Sequence, residues 1–377
     1  MGGADYDTLE RLWRMGLFAG RLESLDRDCR ADSARERQLM SHADSPPSSQ
    51  RSLEVVRRGF GQVPVLVVGD LILDRYAWGD VTRISPEAPV PVVRWQRQTE
   101  QLGGAANVAA NLAGLGARVT VAGFVGADAE GLQLLHLLSA LPSATEFVLR
   151  LPDRPTTTKT RVIGGHQQML RLDREDDRPP PAPDQTRLLD AVAQAMRARP
   201  AAVILSDYAK GVIGEEVAKL VIEEARRLDL PVFVDPKGRD YSKYRGATAL
   251  TPNRAELALA CGLHSGPVEE LLRSGARLRQ DLDLGFLAVT RGEEGITLIE
   301  PGAVSHIPAV AQRVFDVSGA GDTVIATLTA GIAAGLSRLE AIHLANLAAG
   351  IVVGKVGTVP VDAEGLLEAL SAEAALR

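Results

Sequence analysis

The chain is poor in the features that several large protein classes require. It has two cysteines in 377 residues, Cys29 and Cys261, far apart and in no metal-ligand spacing. That excludes a disulfide scaffold and a cysteine-bound zinc, and it fits a reducing compartment. The six histidines, His42, His136, His166, His264, His306 and His343, also lack ligand spacing. Aromatic residues make up only 4%. No apolar run reaches the roughly 18 residues that a bilayer span needs. The opening MGGADYDTLERLWRMGLFAG carries acids and no long apolar stretch, so no secretory leader is expected. An excess of basic charge is missing too: 42 Lys and Arg stand against 48 Asp and Glu, a net charge of -6. A phosphate backbone needs a basic face, so nucleic acid is not the expected partner. These absences point to a cytoplasmic protein with no membrane and no nucleic acid among its partners.

What is present is a large core and abundant glycine: 45% hydrophobic residues and 36 glycines. Residues 1–60 stand apart. They are rich in Arg, Asp, Glu and Ser and pass through His42-Ala43-Asp44-Ser45-Pro46-Pro47. Leu9, Leu12, Trp13, Leu17 and Phe18 would fit one short amphipathic helix, and the rest reads as a solvated extension with no chemistry of its own. Met40 is an alternative start. The domain itself is expected over 61–372.

From Val63 the pattern becomes strand–helix alternation. Val63-Pro64-Val65-Leu66-Val67-Val68 is a β-branched apolar run of the kind that is buried in a parallel sheet. Similar runs start at Val119, Ala202, Val232 and Phe286, with helical patterns over 107–115, 215–228 and 267–278 between them. This order predicts a three-layer α/β/α domain. Polar residues follow several strand ends: Asp70, Ser206-Asp207, Asp235, Asn253 and Thr290-Arg291. Ligands of open α/β sheets bind beyond the carboxyl ends of the strands, so these residues mark one active-site edge. Half-polar stretches within about 80–102 and 154–175 break the alternation and predict a small accessory sheet over that edge. The Pro-rich Asp176–Asp184 leads back to the main domain.

The strongest local signal is Asp316-Val317-Ser318-Gly319-Ala320-Gly321-Asp322, which opens directly into an apolar helix. Unpaired N–H groups at a helix start, approachable past glycines, form an anion cradle. Asp322, in the same first turn, is placed to take a proton from an attacking hydroxyl. A stabilising Asp in a Gly-rich turn is the plainer alternative. Gly103-Gly104-Ala105-Ala106-Asn107 precedes a second small-residue helix, where ligand contact and simple capping are equally open. Asp70 and Asp74 follow the first strand and would either bind hydroxyls or cap a turn.

Together, Gly103-Gly104…Asn107 and Gly319-Ala320-Gly321-Asp322, about 215 residues apart, resemble the two signatures of ribokinase-like carbohydrate kinases. Further stretches are similar to one subgroup, the bacterial D-glycero-β-D-manno-heptose-7-phosphate kinases of lipopolysaccharide inner-core synthesis. They are Gly69–Tyr76, Arg83–Val92, Gln167–Asp173, Ser206–Gly211, Asp235–Gly238 and Thr251–Asn253. The resemblance covers roughly 63–362. It implies a doubly wound domain with a β-sheet lid that often forms a dimer contact, and it implies ATP and Mg²⁺ as cofactors, with room for a monovalent cation. By the same resemblance Asp322 is the catalytic base acting on the anomeric O1 hydroxyl, and Gly319, Ala320 and Gly321 form the anion hole. Asp74, Gly103, Gly104 and Asn107 hold the sugar. Asn253 and Glu256 lie on the nucleotide and metal side, Glu256 as the metal residue, with Thr290, Arg291, Gly292 and Asn346 beside ATP.

A substrate that already carries a phosphate needs cations away from Asp322. Arg75, Arg83, Lys159, Arg161, Arg171 and Lys210 are the candidates, with two or three of them expected on the phosphate. Surface charge, or pairing of Arg83 with Glu87 and Arg171 with Asp173, is the alternative for each. Many relatives carry a nucleotidyltransferase domain after the kinase. Here the adenylyl step is expected of a separate nucleotidyltransferase, and the lid is expected to make a homodimer. Two other readings stay open: a kinase of the same fold for another sugar, and a non-catalytic sugar- or nucleotide-binding protein. A dinucleotide oxidoreductase fits poorly, because Gly69-Asp70-Leu71-Ile72 replaces the Gly-x-Gly-x-x-Gly turn.

Overall fold

The structure, a computed structural model, describes residues 49–165, 167–264, 266–310, 314–355 and 357–375. The expected amphipathic helix around Leu9–Phe18, Met40 and Cys29 lie outside the described residues.

In chain order the elements are α1 (Ser49–Arg58), β1 (Pro64–Gly69), β2 (Leu71–Ile84), β3 (Pro91–Gly104), α2 (Ala105–Gly114), β4 (Arg118–Gly126), α3 (Ala129–Ser139) and β5 (Ser143–Leu151). Next come β6 (Thr157–Gly164), β7 (Gln167–Arg174), α4 (Ala182–Arg197), β8 (Ala202–Ser206), α5 (Glu215–Arg227), β9 (Val232–Asp235), β10 (Ala249–Leu250), α6 (Arg254–Ala260) and α7 (Val268–Asp281). The last are β11 (Phe286–Thr290), β12 (Ile296–Glu300), β13 (Ala303–Ile307), α8 (Ala320–Ala333), α9 (Arg338–Val352) and α10 (Ala363–Ala375).

Nine strands form the main sheet in the order β13-β12-β11-β10-β9-β8-β1-β4-β5. It is parallel from β11 to β5, and β12 and β13 add an antiparallel edge. The apolar runs become its central strands because side chains on both faces are covered. Val65 and Val67 face one cluster with α1, α2, α8, α9 and α10, while Leu66 and Val68 face another with α4, α5 and α7. That alternation is the three-layer architecture. The strand order reverses at β1, with β4 on one side and β8 on the other. A crevice therefore opens beyond the carboxyl ends of β1 and β8, at Asp70 and Asp207.

A second sheet, ordered β3-β2-β6-β7, is the lid. Two boundaries differ from expectation. The lid begins at Leu71 rather than near residue 80, because the buried half of β2 grows directly out of the core. The domain also takes in Ser49–Arg58, ahead of the expected start at 61. Helix α1 packs on α10 and α9, with Val56 and Phe60 fully within the core, so the solvated extension cannot reach to residue 60. Cys261 is half-buried at the C-terminal cap of α6, less enclosed than a buried helix end would be.

Candidate active site

Helix α8 starts where the chain turns through Gly319 in the left-handed region, at φ 78°. A Cβ there would also lie 2.6 Å from Asn107 Nδ2, so only glycine lets the turn close against α2. This closure brings the two signatures together. Asn107 Nδ2 donates to Asp322 Oδ2 at 2.8 Å. From the opposite side, Tyr208 donates its phenol O–H to Asp322 Oδ1 at 2.7 Å. Asn107 is itself held by Asn111, whose amide donates to Asn107 O at 2.9 Å. Asn111 Oδ1 accepts from Thr323 Oγ1 at 2.9 Å and from the Val361 N–H at 3.0 Å.

Asp322 is buried, 2% exposed. Burial pushes its carboxyl up to about 7, against the pull of the Asn107 and Tyr208 hydrogen bonds; the Asp74 charge adds to the rise. A carboxylate near 7 is matched to proton transfer at neutral pH.

Asp74, on β2, sits against Gly103, where a Cβ would lie 2.3 Å from Asp74 Oδ2. Arg161 on β6 donates to Asp74 Oδ1, and its guanidinium lies 5.2 Å from the centre of the Tyr76 ring. Gly104 passes directly into α2. Thus Asp74, Gly103, Gly104, Asn107, Gly319, Ala320, Gly321 and Asp322 line one continuous surface between lid and sheet.

The six cations separate. Lys159 is in register with Asp74, so both project from the same face of the lid. Lys159 Nζ lies 3.3 Å from Asp173 and 3.4 Å from Glu175, and Lys210 Nζ lies 2.8 Å from Glu175. Arg171 pairs with Asp173. These three cations share two carboxylates, which leaves excess positive charge. Arg75, by contrast, is adjacent to Asp74 in a strand and faces the other way, onto Glu100 and Glu130. Arg83 is exposed at the lid tip, nine residues from Asp74, about 30 Å at the rise of a strand. It makes no ion pair among the described residues, with Glu87 or otherwise. Strand alternation and strand length keep these two away from the surface around Asp322.

Of the residues expected near a nucleotide, Asn253 caps α6 in a capping box: its side chain accepts from the Glu256 N–H at 2.9 Å, and Glu256 accepts from the Asn253 N–H at 3.0 Å. Glu256 also pairs with Lys237 at 2.8 Å. Asn253 bridges to Thr290 at the end of β11. Arg291 donates to Thr297 and pairs with Glu294, and Gly292 begins the turn beneath it. Asn346, buried on α9, donates to Pro308 O at 2.8 Å.

Three site residues take roles that the sequence did not assign to them. Tyr208 was visible only as part of Ser206–Gly211. Asp70 turns out to be the organiser of that loop: its carboxylate accepts from the N–H groups of Tyr208 (2.8 Å), Lys210 (3.1 Å) and Val212 (3.1 Å). Burial and the charge of Asp207 still push Asp70 up to about 6. Asp235 stands at the end of β9, driven well above the carboxylate range by burial and by Asp322 and Glu256. Its carboxylate has no hydrogen-bond partner among the described residues.

A doubly wound sheet, a β-sheet lid, a glycine-framed helix start and a buried carboxylate beside it define a sugar-phosphorylating enzyme. The profile of the pfkB family carbohydrate kinases matches residues 64–364, and the chain belongs to that family. It is 56% identical over 323 residues to the bifunctional protein HldE of Methylobacillus flagellatus, an alignment covering 85% of this chain and 66% of that protein. It is 55% identical over 325 residues to the bifunctional protein HldE of Magnetococcus marinus, covering 85% and 67%. The chain thus spans about two thirds of the length of these relatives. Among solved structures, Arabidopsis thaliana ribokinase complexed with ribose and ATP aligns with a TM-score of 0.65 at 21% identity, covering 82% of this chain and 98% of that one. Escherichia coli phosphofructokinase-2 aligns at 0.69 and 17% identity, covering 82% and 99%. At such identities these two structures establish the ribokinase-like fold.

Proposed function

We propose that the chain transfers the γ-phosphoryl group of ATP to the anomeric O1 of D-glycero-β-D-manno-heptose 7-phosphate, yielding the 1,7-bisphosphate and ADP in ADP-heptose synthesis. The observation that carries the reading is the buried Asp322 carboxylate, fixed beside the N-terminus of α8 in a chain whose lid motifs resemble the heptose kinases. The kinship with bifunctional HldE proteins supports it.

Asp322 takes the O1 proton as the O1–Pγ bond forms and the bond from Pγ to the bridging oxygen of ADP breaks. The N–H groups around Gly319, Ala320 and Gly321 face the charge that spreads over the transferring group. Asp74 and Asn107 hold the sugar hydroxyls. Lys159, Lys210 and Arg171 receive the 7-phosphate, because their positive charge exceeds that of Asp173 and Glu175 and a dianion supplies what is missing. Asn253, Thr290, Arg291, Gly292 and Asn346 frame the nucleotide.

Asp235 and Glu256 would hold Mg²⁺: burial and the charges of Asp322 and Glu256 raise Asp235, and a divalent cation would favour its ionised form. No group of three metal-ligating side chains occurs among the described residues. When bound, Mg²⁺ neutralises phosphate charge.

The outer lid face carries Trp95, Leu170 and Leu172, exposed by 66%, 46% and 60%. Register places them on the side opposite Asp74, which supports a homodimer through the lid. No helix among the described residues is long and apolar enough to cross a membrane, and we place the enzyme in the cytoplasm.

Phosphorus-31 NMR of the reaction tests the chemistry. A new phosphate resonance coupled to the anomeric proton is expected; a new phosphate coupled to any other sugar proton would overturn the O1 assignment.

A further inference from the structure

We infer that Tyr208 is a positioning residue for the base: its phenol fixes Oδ1 of Asp322 while Asn107 fixes Oδ2, so the carboxylate is aimed before any sugar binds. The inference deepens the reading of Asp322 as the base and rests on it.

The loop carrying Tyr208 is built for this task. It leaves β8 at Ser206 and is held from two sides. Asp70 takes three of its backbone N–H groups. Asp207 accepts from the Ala209 N–H at 2.7 Å, from Lys243 Nζ at 2.6 Å and from the Tyr244 hydroxyl at 2.6 Å. Ala209 sits at φ 55° and Gly211 at φ 87°, so the chain accepts two left-handed residues to make the turn. Arg154 adds a clamp, donating to Lys210 O and Arg178 O. What this scaffold presents is one phenol, 2.7 Å from Asp322.

The hydrogen bond has a chemical consequence. Three carboxyl groups converge there: Asp322 on α8, Asp74 on β2 and Asp235 at the end of β9. Asn107, from α2, is neutral. A donor to the ionised form of Asp322 opposes burial and like charge and keeps the base available. Burial and then the neighbouring Asp322 charge push the Tyr208 hydroxyl well above its usual range, so it remains a donor.

The test is Tyr208→Phe, which removes one oxygen and leaves the ring. Carboxyl carbon-13 NMR of aspartate-labelled enzyme, with the Asp322 signal assigned by its absence in Asp322→Asn, reads the carboxyl without any substrate. Its titration midpoint is expected to move to higher pH in Tyr208→Phe. Site-specific 3-fluorotyrosine at position 208, a stronger donor of nearly the same size, is expected to move it to lower pH. In turnover, kcat/KM of Tyr208→Phe is expected to fall about tenfold or more at pH 6.5, the factor implied by losing a hydrogen bond to a charged group, with the deficit shrinking as pH rises. An unchanged midpoint in both variants, or a rate deficit equal at every pH, would overturn the inference. The NMR arm is independent of the sugar, so a wrong substrate assignment silences turnover but leaves the titration to decide.

Discussion

The proposed chemistry is concentrated in one carboxyl group, Asp322. It sits at the positive end of α8 yet is raised to about 7, because burial outweighs two hydrogen bonds. Asp322→Asn is expected to lower turnover by about 10²–10⁴-fold, the usual contribution of a general base, while sugar and ATP still bind. Calorimetric binding beside ADP release checks both halves. The same burial fixes a sign for stability. Folded Asp322 holds its proton up to about pH 7, but the unfolded chain releases it near the ordinary 3.8. The penalty is therefore absent below pH 4, grows between pH 4 and 7, and is full above. Asp322→Asn is expected to melt higher than the native chain at pH 8, with the gap closing at pH 4; a gap independent of pH would contradict that account. In the sequence, Asp322 and Asn107 were paired only by resemblance, since 215 residues separate them. Tyr208 was not legible as a partner of Asp322, because its reach depends on a loop path set by Asp70 and Asp207. No local pattern encodes three backbone N–H groups converging on one distant carboxylate.

At the scale of elements, two helix starts matter. Gly319→Ala puts a Cβ into Asn107 and forces a left-handed residue, which costs about 1–2 kcal/mol for the backbone alone. It is expected to lower kcat by more than tenfold with a smaller loss of melting temperature, since the displaced group is the one that orients Asp322. At α6, Asn253→Ala removes the cap and is expected to cost about 1 kcal/mol and to raise KM for ATP without changing KM for the sugar; steady-state kinetics separates the two. The parallel strands were legible because their apolar runs are buried on both faces, as in Val65–Val68. The first half of β2 was missed because Leu71–Leu73 reads as core rather than lid. Helix α1 was missed because its neighbours 1–48 are so polar, while its own buried residues, Ser52 and Val56, are few.

As a whole, the described residues form a three-layer body with a lid whose inner face carries Asp74, Lys159 and Arg161 and whose outer face exposes Trp95, Leu170 and Leu172. Those roles follow from strand alternation, since neighbouring residues point to opposite faces. Leu172→Glu is expected to convert a dimer to a monomer in sedimentation; a dimer that survives it would move the interface off the lid. The central claim is the substrate, and it is tested most directly by ADP release with ATP, Mg²⁺ and D-glycero-D-manno-heptose 7-phosphate, run beside fructose 6-phosphate, ribose and no sugar. Turnover selective for the heptose phosphate is the expected result. Faster turnover with another sugar, or none with the heptose phosphate, would contradict the assignment.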